Sequence, residues 1–171
     1  KSLDLTQVFI KPIIAEVSIK ALLLILGFVF LAVNILSMSQ QFKIKRPRII
    51  AGIEVVQEEF NLSKKILTLI SALIALIWLF LLPKVWDKFF LFLNSSPTGK
   101  VDPILNKDIS FYLLNYPFYK FFSSAFASLL LITFIVVIAG YFIGGSIHFA
   151  GLKTRFSPRA ITHFSILLAI F

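Results

Sequence analysis

Long uncharged stretches alternate with short charged ones along this chain. Residues 21–42 contain no Asp, Glu, Lys or Arg. As a helix they would run about 33 Å, at about 1.5 Å per residue. That is enough to cross a hydrocarbon core about 30 Å thick. Residues 66–83 are a second uncharged stretch, about 27 Å long as a helix and near the lower limit for a span. Residues 121–152 are a third, long enough to cross with tilt or overhang. A fourth begins at Ala160 and continues to Phe171. The competing explanation is buried helices of a large soluble protein, and these seldom reach about 18 uncharged residues. The pattern predicts an all-α fold: a multi-pass transmembrane helical bundle with three full spans and the start of a fourth.

The charge clusters divide the chain further. The expected order is an outer interfacial segment at 1–11, a helix at 12–42, a cytoplasmic connector at 43–65 and a helix at 66–83. An outer connector at 84–116, a helix at 117–147, a cytoplasmic link at 148–159 and the start of a further span at 160–171 complete it. Pro12 suits a first helical turn, where its missing N–H is not needed. Glu16 and Lys20 stand four apart, in the favourable order for an ion pair on one helix face, and are expected at headgroup depth. Trp78 and Trp86 bracket the end of the second span, and Tyr112, Tyr116 and Tyr119 lead into the third. Aromatic residues so placed mark the membrane–water interface. Ile49, Ile53, Val56 and Phe60 recur at helical spacing, which predicts a short amphipathic helix on the cytoplasmic surface. Residues 84–93 are also amphiphilic and aromatic, and 94–99 read as a loop. No internal repeat is visible.

Composition agrees with the pattern. The 171 residues are 58% hydrophobic and 15% charged, with a mean hydropathy of +0.94. Soluble domains are about 45–50% apolar and about 25% charged, so an ordinary soluble fold is excluded. The 20 Phe exclude disorder as well. Cysteine is absent, which removes disulfides, thiolate metal sites and a Cys nucleophile.

A net charge of +9 fits a nucleic-acid binder until its placement is considered. Lys43, Lys45, Arg46 and Arg48 directly follow the first span, and Lys153, Arg155 and Arg159 follow the third. Basic residues so placed are topology anchors that put both connectors in the cytoplasm. They also touch anionic lipid headgroups. The expected partners are therefore the lipid bilayer and its anionic headgroups. Nucleic acid is not expected, because no aromatic platform or reading element accompanies the basic cluster. The chain starts at Lys1 and stops inside an apolar run. It reads as a piece of a longer protein, whose remainder is a further partner.

Candidate chemistry is sparse. Gly140, Gly144 and Gly145 sit late in the third span, at a spacing that lets helices approach closely. His148 and His163 could meet across a helical hairpin, but two histidines without a carboxylate make no convincing metal site. Asn34, Ser71 and Thr133 are polar groups within spans, where hydrogen bonding between helices is the ordinary use. The spans carry no carboxylate at mid-membrane depth, although such groups usually mark an ion or proton path. No phosphate loop, Ser nucleophile motif or HExxH is present. The reading is a non-enzyme with no cofactor, no catalytic residue and no metal ligand. In the outer connector, Asp102 precedes Pro103 and favours a turn, and Asp108 can cap a helix. A shared divalent cation is the competing reading; two carboxylates six apart in a loop are thin support for it, and local capping accounts for both.

That connector also carries a resemblance. Asp102, Pro103, Asp108, Phe111, Tyr112, Pro117 and Phe118 form the pattern D-P-x4-D-I-S-F-Y-x4-P-F. The pattern resembles the uncharacterised protein family (UPF) 0182 of bacterial multi-pass membrane proteins. The similarity continues through the third span and the basic link after it. The first two spans match only in hydropathy and order. Pro97, Thr98, Gly99 and Lys100 depart from the Phe-Gly that the family usually has before its Asp-Pro pair. The resemblance implies about seven spans followed by a large extracytoplasmic domain, in the bacterial plasma membrane. It implies no activity and no catalytic residues. The expected function is therefore a membrane module that anchors an outer domain, with part of a transporter or channel as the alternative.

Overall fold

The computed structural model describes residues 6–39, 43–50, 53–144, 147–150 and 153–171, with backbone alone at 6–8, 43–50, 53–61, 147–150 and 153–155. The order is α1 (Thr6–Ser37), β1 (Lys43–Ile50), β2 (Ile53–Asn61), α2 (Lys64–Leu81) and α3 (Trp86–Leu93). A π-helical turn (Phe111–Asn115), α4 (Tyr116–Ile143), β3 (Ile147–Ala150), β4 (Lys153–Phe156) and α5 (Pro158–Ile170) follow. Three helical stretches are long and apolar enough to cross a membrane: Phe9–Ser37, Lys64–Leu81 and Phe111–Ile143. Hydrocarbon offers backbone groups no partner, so a helix that bonds every N–H internally is the stable form there. Phe80 is 83% exposed and Leu69 70%. Outward apolar surface of this kind suits lipid and not water. The fold is an all-α transmembrane bundle carrying two small hairpins.

By compactness the chain divides into two units. The first takes in Lys1–Leu26 and Trp78–Ser128, the second Gly27–Ile77 and Leu129–Phe171. In the first, aromatic side chains hold α3 to the start of α4. Phe92 stacks on Phe118 with centroids 4.4 Å apart and planes 13° apart. Phe118 also meets Phe122 at 4.8 Å, and Phe92 meets Tyr119 edge-on at 5.6 Å. In the second, Ile35, Met38, Leu67, Leu130, Val137, Tyr141, Ala160 and Leu167 form one buried cluster. Phe134 and Tyr141 both set an edge against Phe164 beside it.

The amphipathic helix expected over Ile49 to Phe60 is not there. β1 and β2 form an antiparallel hairpin instead, with Lys45 opposite Glu59 and Arg46 opposite Glu58. Pro47 cannot sit inside a helix without loss of a bond, whereas a two-stranded ribbon is all edge and tolerates it. The run Ile53, Val55, Val56 is β-branched and favours extended backbone. Opposite charges in directly opposed register positions favour the same pairing. A shift in register between Arg48 and Ile49 leaves Val55 without a partner, the mark of a bulge. The link after the third span is likewise a hairpin, Ile147 opposite Phe156 through Ala150 opposite Lys153.

Element ends also differ from expectation. α1 begins at Thr6, so Pro12 lies inside it and not in its first turn. Continuing the helix past Pro12 satisfies the neighbouring N–H groups at the cost of one bond. α4 begins at Tyr116 with Pro117 in its first turn, but the chain is already helical from Phe111. The Tyr116 N–H reaches back to the Phe111 carbonyl, a bond across five residues. In a regular helix the Pro117 ring would press on the carbonyl four residues back, and the widened turn relieves it. α5 starts at Pro158, with the Ser157 hydroxyl accepting from the Ala160 N–H at 3.3 Å.

Candidate functional site

The outer connector is built around two carboxylates that close its turns. Asp102 Oδ1 accepts from the Ile104 N–H at 3.2 Å, and its Oδ2 from Leu105 N–H at 3.3 Å and the Tyr112 hydroxyl at 3.1 Å. Asp108 Oδ1 accepts from the Thr98 N–H at 3.1 Å, the Thr98 hydroxyl at 2.8 Å and the Ser110 N–H at 2.8 Å. Its Oδ2 accepts from the Gly99 N–H at 2.9 Å. Backbone bonds lace the same loop, from Asp102 N–H to Lys107 carbonyl and from Ile109 N–H to Lys100 carbonyl. Gly99 (φ +74°) and Asn106 (φ +53°) take the left-handed turns, which Gly and Asn adopt most readily.

These bonds favour the ionised carboxylates. Hydrogen bonds from Ser110 first, and then from Thr98, hold the Asp108 carboxyl well below its ordinary value of 3.8. The Ile104 N–H is the main cause of a lowered value at Asp102, with Tyr112 and Leu105 adding to it. The motif residues Asp102, Pro103, Asp108, Phe111, Tyr112, Pro117 and Phe118 fall in one unit. Asp102 meets Tyr112, Phe111 meets Tyr112 edge-on, and Phe118 is the hub of the aromatic cluster. Lys107 Nζ lies 5.9 Å above the Phe111 ring, a cation–π contact. No group of three or more His, Cys, Asp or Glu able to hold a metal occurs among the described residues.

The same unit uses a third carboxylate that the sequence does not advertise. Glu16, on α1, sends Oε2 to the N–H groups of Val85 and Trp86 at 2.9 and 3.0 Å. Val85 is the N-cap of α3 and caps it with no side chain of its own, so Glu16 supplies the acceptor that a first turn needs. Its Oε1 pairs with Lys20 Nζ at 2.9 Å. Trp78 is 3% exposed and so is no belt residue at the surface. Its indole N–H donates to Ser128 Oγ at 2.9 Å, tying α2 to α4.

In the second unit, His163 on α5 joins Asn34 of α1 and Tyr141 of α4. His163 Nε2 lies 2.9 Å from Asn34 Oδ1, and its Nδ1 lies 3.3 Å from the Tyr141 hydroxyl. The side chain of His148 is outside the described residues. Of the three in-span polar groups Asn34, Ser71 and Thr133, Asn34 bonds to another helix, whereas Ser71 and Thr133 turn back to their own, at the Leu67 and Leu129 carbonyls. Gly140 is buried on α4, Gly144 donates its N–H to the Gly140 carbonyl, and Gly145 lies outside the described residues. Lys43, Lys45, Arg46 and Arg48 lie on β1, Lys153 and Arg155 on β4, and Arg159 at the start of α5. The basic anchors thus fall on the two hairpins and the helix after them.

Comparison with known proteins decides the relationship. The family model described as "Uncharacterised protein family (UPF0182)" matches residues 1–171. The chain belongs to that family. A UPF0182 protein of Pelotomaculum thermopropionicum is 29% identical over 189 residues, covering 100% of this chain and 20% of that protein. One of Geobacter sp. strain M21 is 25% identical over 171 residues, covering 97% of this chain and 19% of that protein. A third, of Leifsonia xyli, is 30% identical over 86 residues, half of this chain and 9% of its own length. The chain therefore spans a fifth or less of these UPF0182 relatives. No solved structure matches it.

Proposed function

We propose that this chain is a membrane module that anchors and orients a large extracytoplasmic domain of the same protein, without catalysis of its own. The observation that carries the reading is the use of its carboxylates. Asp102, Asp108 and Glu16 each accept backbone N–H bonds that fix a turn or a helix start. These groups hold the connector rigid and hand a fixed shape to whatever rests on it. The small share of each relative that the chain covers supports a larger functional part elsewhere. The module resides in the bacterial plasma membrane as a multi-pass protein. The lysines and arginines of both hairpins face the cytoplasm against anionic headgroups, and the connector faces outward.

The test replaces these spans, in the full-length protein, with an unrelated membrane segment of the same topology. Anchoring expects the outer domain to remain folded, exported and able to restore a deletion strain. Loss of function with correct export would sink it. Orientation is read by cysteine labelling, since this chain has no cysteine of its own. Ser96→Cys should react with an impermeant maleimide on intact spheroplasts, and Lys45→Cys only after permeabilisation.

One observation favours the second reading, part of a transporter or channel. The order helix, hairpin, helix occurs twice, as α1-β1-β2-α2 and as α4-β3-β4-α5. Repeated units of this kind underlie many transporters. Loss of function after replacement of the spans is the outcome that reading expects.

A further inference from the structure

A groove of about 500 Å³ opens on the first unit, between one face of α1 and the turn that leads into α3. Pockets for small organic ligands fall in the same range, about 300–1,000 Å³. Its α1 wall is a stripe of Phe9, Ile13 and Val17, four residues apart and each more than 60% exposed. The stripe runs about 12 Å along the helix. Lys84 and Trp86 form the opposite wall. Both lie just past Leu81, where the second membrane-crossing helix ends, and Phe9 opens the first. The groove is therefore at the water-facing end of the spans, where Trp and Lys meet headgroups.

Charge decides what fits there. Glu16 touches the groove, but its two oxygens already serve Lys20 and the N–H groups of Val85 and Trp86. Lys88 pairs with Asp87. Lys84 is exposed and makes no ion pair with the described residues. An apolar trough lined by Lys84, which has no ion-pair partner among the described residues, complements an acyl chain that ends in an anion.

We propose that this groove binds one bilayer phospholipid with a negatively charged headgroup, its acyl chain along Phe9, Ile13 and Val17 and its phosphate on Lys84. The inference is independent of whether the module anchors or transports. It differs from the general attraction of the basic hairpins to anionic membrane, because it names a single molecule in a shaped site.

The experiment reconstitutes the full-length protein in nanodiscs of equal phosphatidylglycerol and phosphatidylcholine. Lipid retained after mild detergent release is then identified by native mass spectrometry. Wild type should retain phosphatidylglycerol in preference. Lys84→Gln should lower that preference about fivefold, the effect of one lysine at an anionic headgroup. Val17→Trp, which fills the trough from an exposed position, should abolish retention of either lipid while leaving the melting temperature unchanged. Equal retention of both lipids by wild type would overturn the proposal, as would an unchanged preference in Lys84→Gln. Unchanged retention in Val17→Trp, which is the outcome if another segment of the full-length protein fills the groove, would overturn it too.

Discussion

The two units of this protein solve the same problem with different chemistry. In the unit built from Lys1–Leu26 and Trp78–Ser128, long-range ties are made by an ionised carboxylate and an indole: Glu16 on the start of α3, Trp78 on Ser128. In the unit built from Gly27–Ile77 and Leu129–Phe171, an aliphatic cluster dominates. A neutral set, Asn34, His163 and Tyr141, adds the hydrogen bonds. The difference follows from what each must order. The first holds an irregular connector of 94–110, whose backbone groups need explicit partners. Apart from its two hairpins, the second packs regular helices whose backbone is already satisfied, so shape complementarity is enough between them. Within the first unit, charge is used where the backbone is irregular or a helix begins.

The comparison can be broken at its strongest point first. Trp78→Ala should destabilise the protein by about 3 kcal/mol, through lost packing and the lost indole bond to Ser128, whose hydroxyl keeps its bond to the Ala125 carbonyl. A detergent unfolding titration that finds no loss would remove Trp78 from the framework. Glu16→Ala should cost about 2 kcal/mol, because the first turn of α3 loses its acceptor and Lys20 its partner. Amide exchange should rise at Val85 and Trp86 and remain unchanged at Leu67 and Val137. Equal effects in both places would erase the distinction between the units.

Asn34→Leu should be milder, about 1 kcal/mol, since hydrogen bonds between membrane helices are individually weak. A double-mutant cycle with His163→Leu checks it, and strict additivity would mean the pair is not coupled. The smallest global effect is expected from acid. Asp108 and Asp102 ionise below their ordinary value of 3.8 in the folded connector. A lowered folded-state value stabilises above the unfolded value and is lost as pH falls through the folded one. Amides of Thr98, Gly99 and Ser110 should thus hold their protection from neutral pH down to about 4 and lose it below. Asp108→Asn should abolish that pH dependence. The aliphatic cluster of the second unit, which contains no carboxylate, should not respond over this range.

The membrane helices were legible in the sequence because a span needs a gap between charges, and gaps are visible one residue at a time. The first hairpin was not. Ile49, Ile53, Val56 and Phe60 satisfy a helical period, yet the same stretch pairs as a ribbon with Pro47 in one strand. Short apolar patterns do not separate the two, and the partner strand decides. Asp108 reads locally because its partners lie within ten residues of it. Glu16 does not, because it meets Val85 and Trp86 across 69 and 70 positions. Asn34 and His163 are 129 apart. A lone glutamate near the start of an apolar helix, followed by a lysine four residues later, gives no hint of a helix waiting to be capped.

The Glu16 contact also sets an order of events. α3 is eight residues long, and a helix so short does not persist by itself in water. Its acceptor is made first, since α1 leaves the ribosome before the α2 turn and the α3 residues do. The later segment therefore assembles on a template already seated in the membrane, and the connector inherits its geometry from a span made before it. Construction proceeds from the bilayer outward.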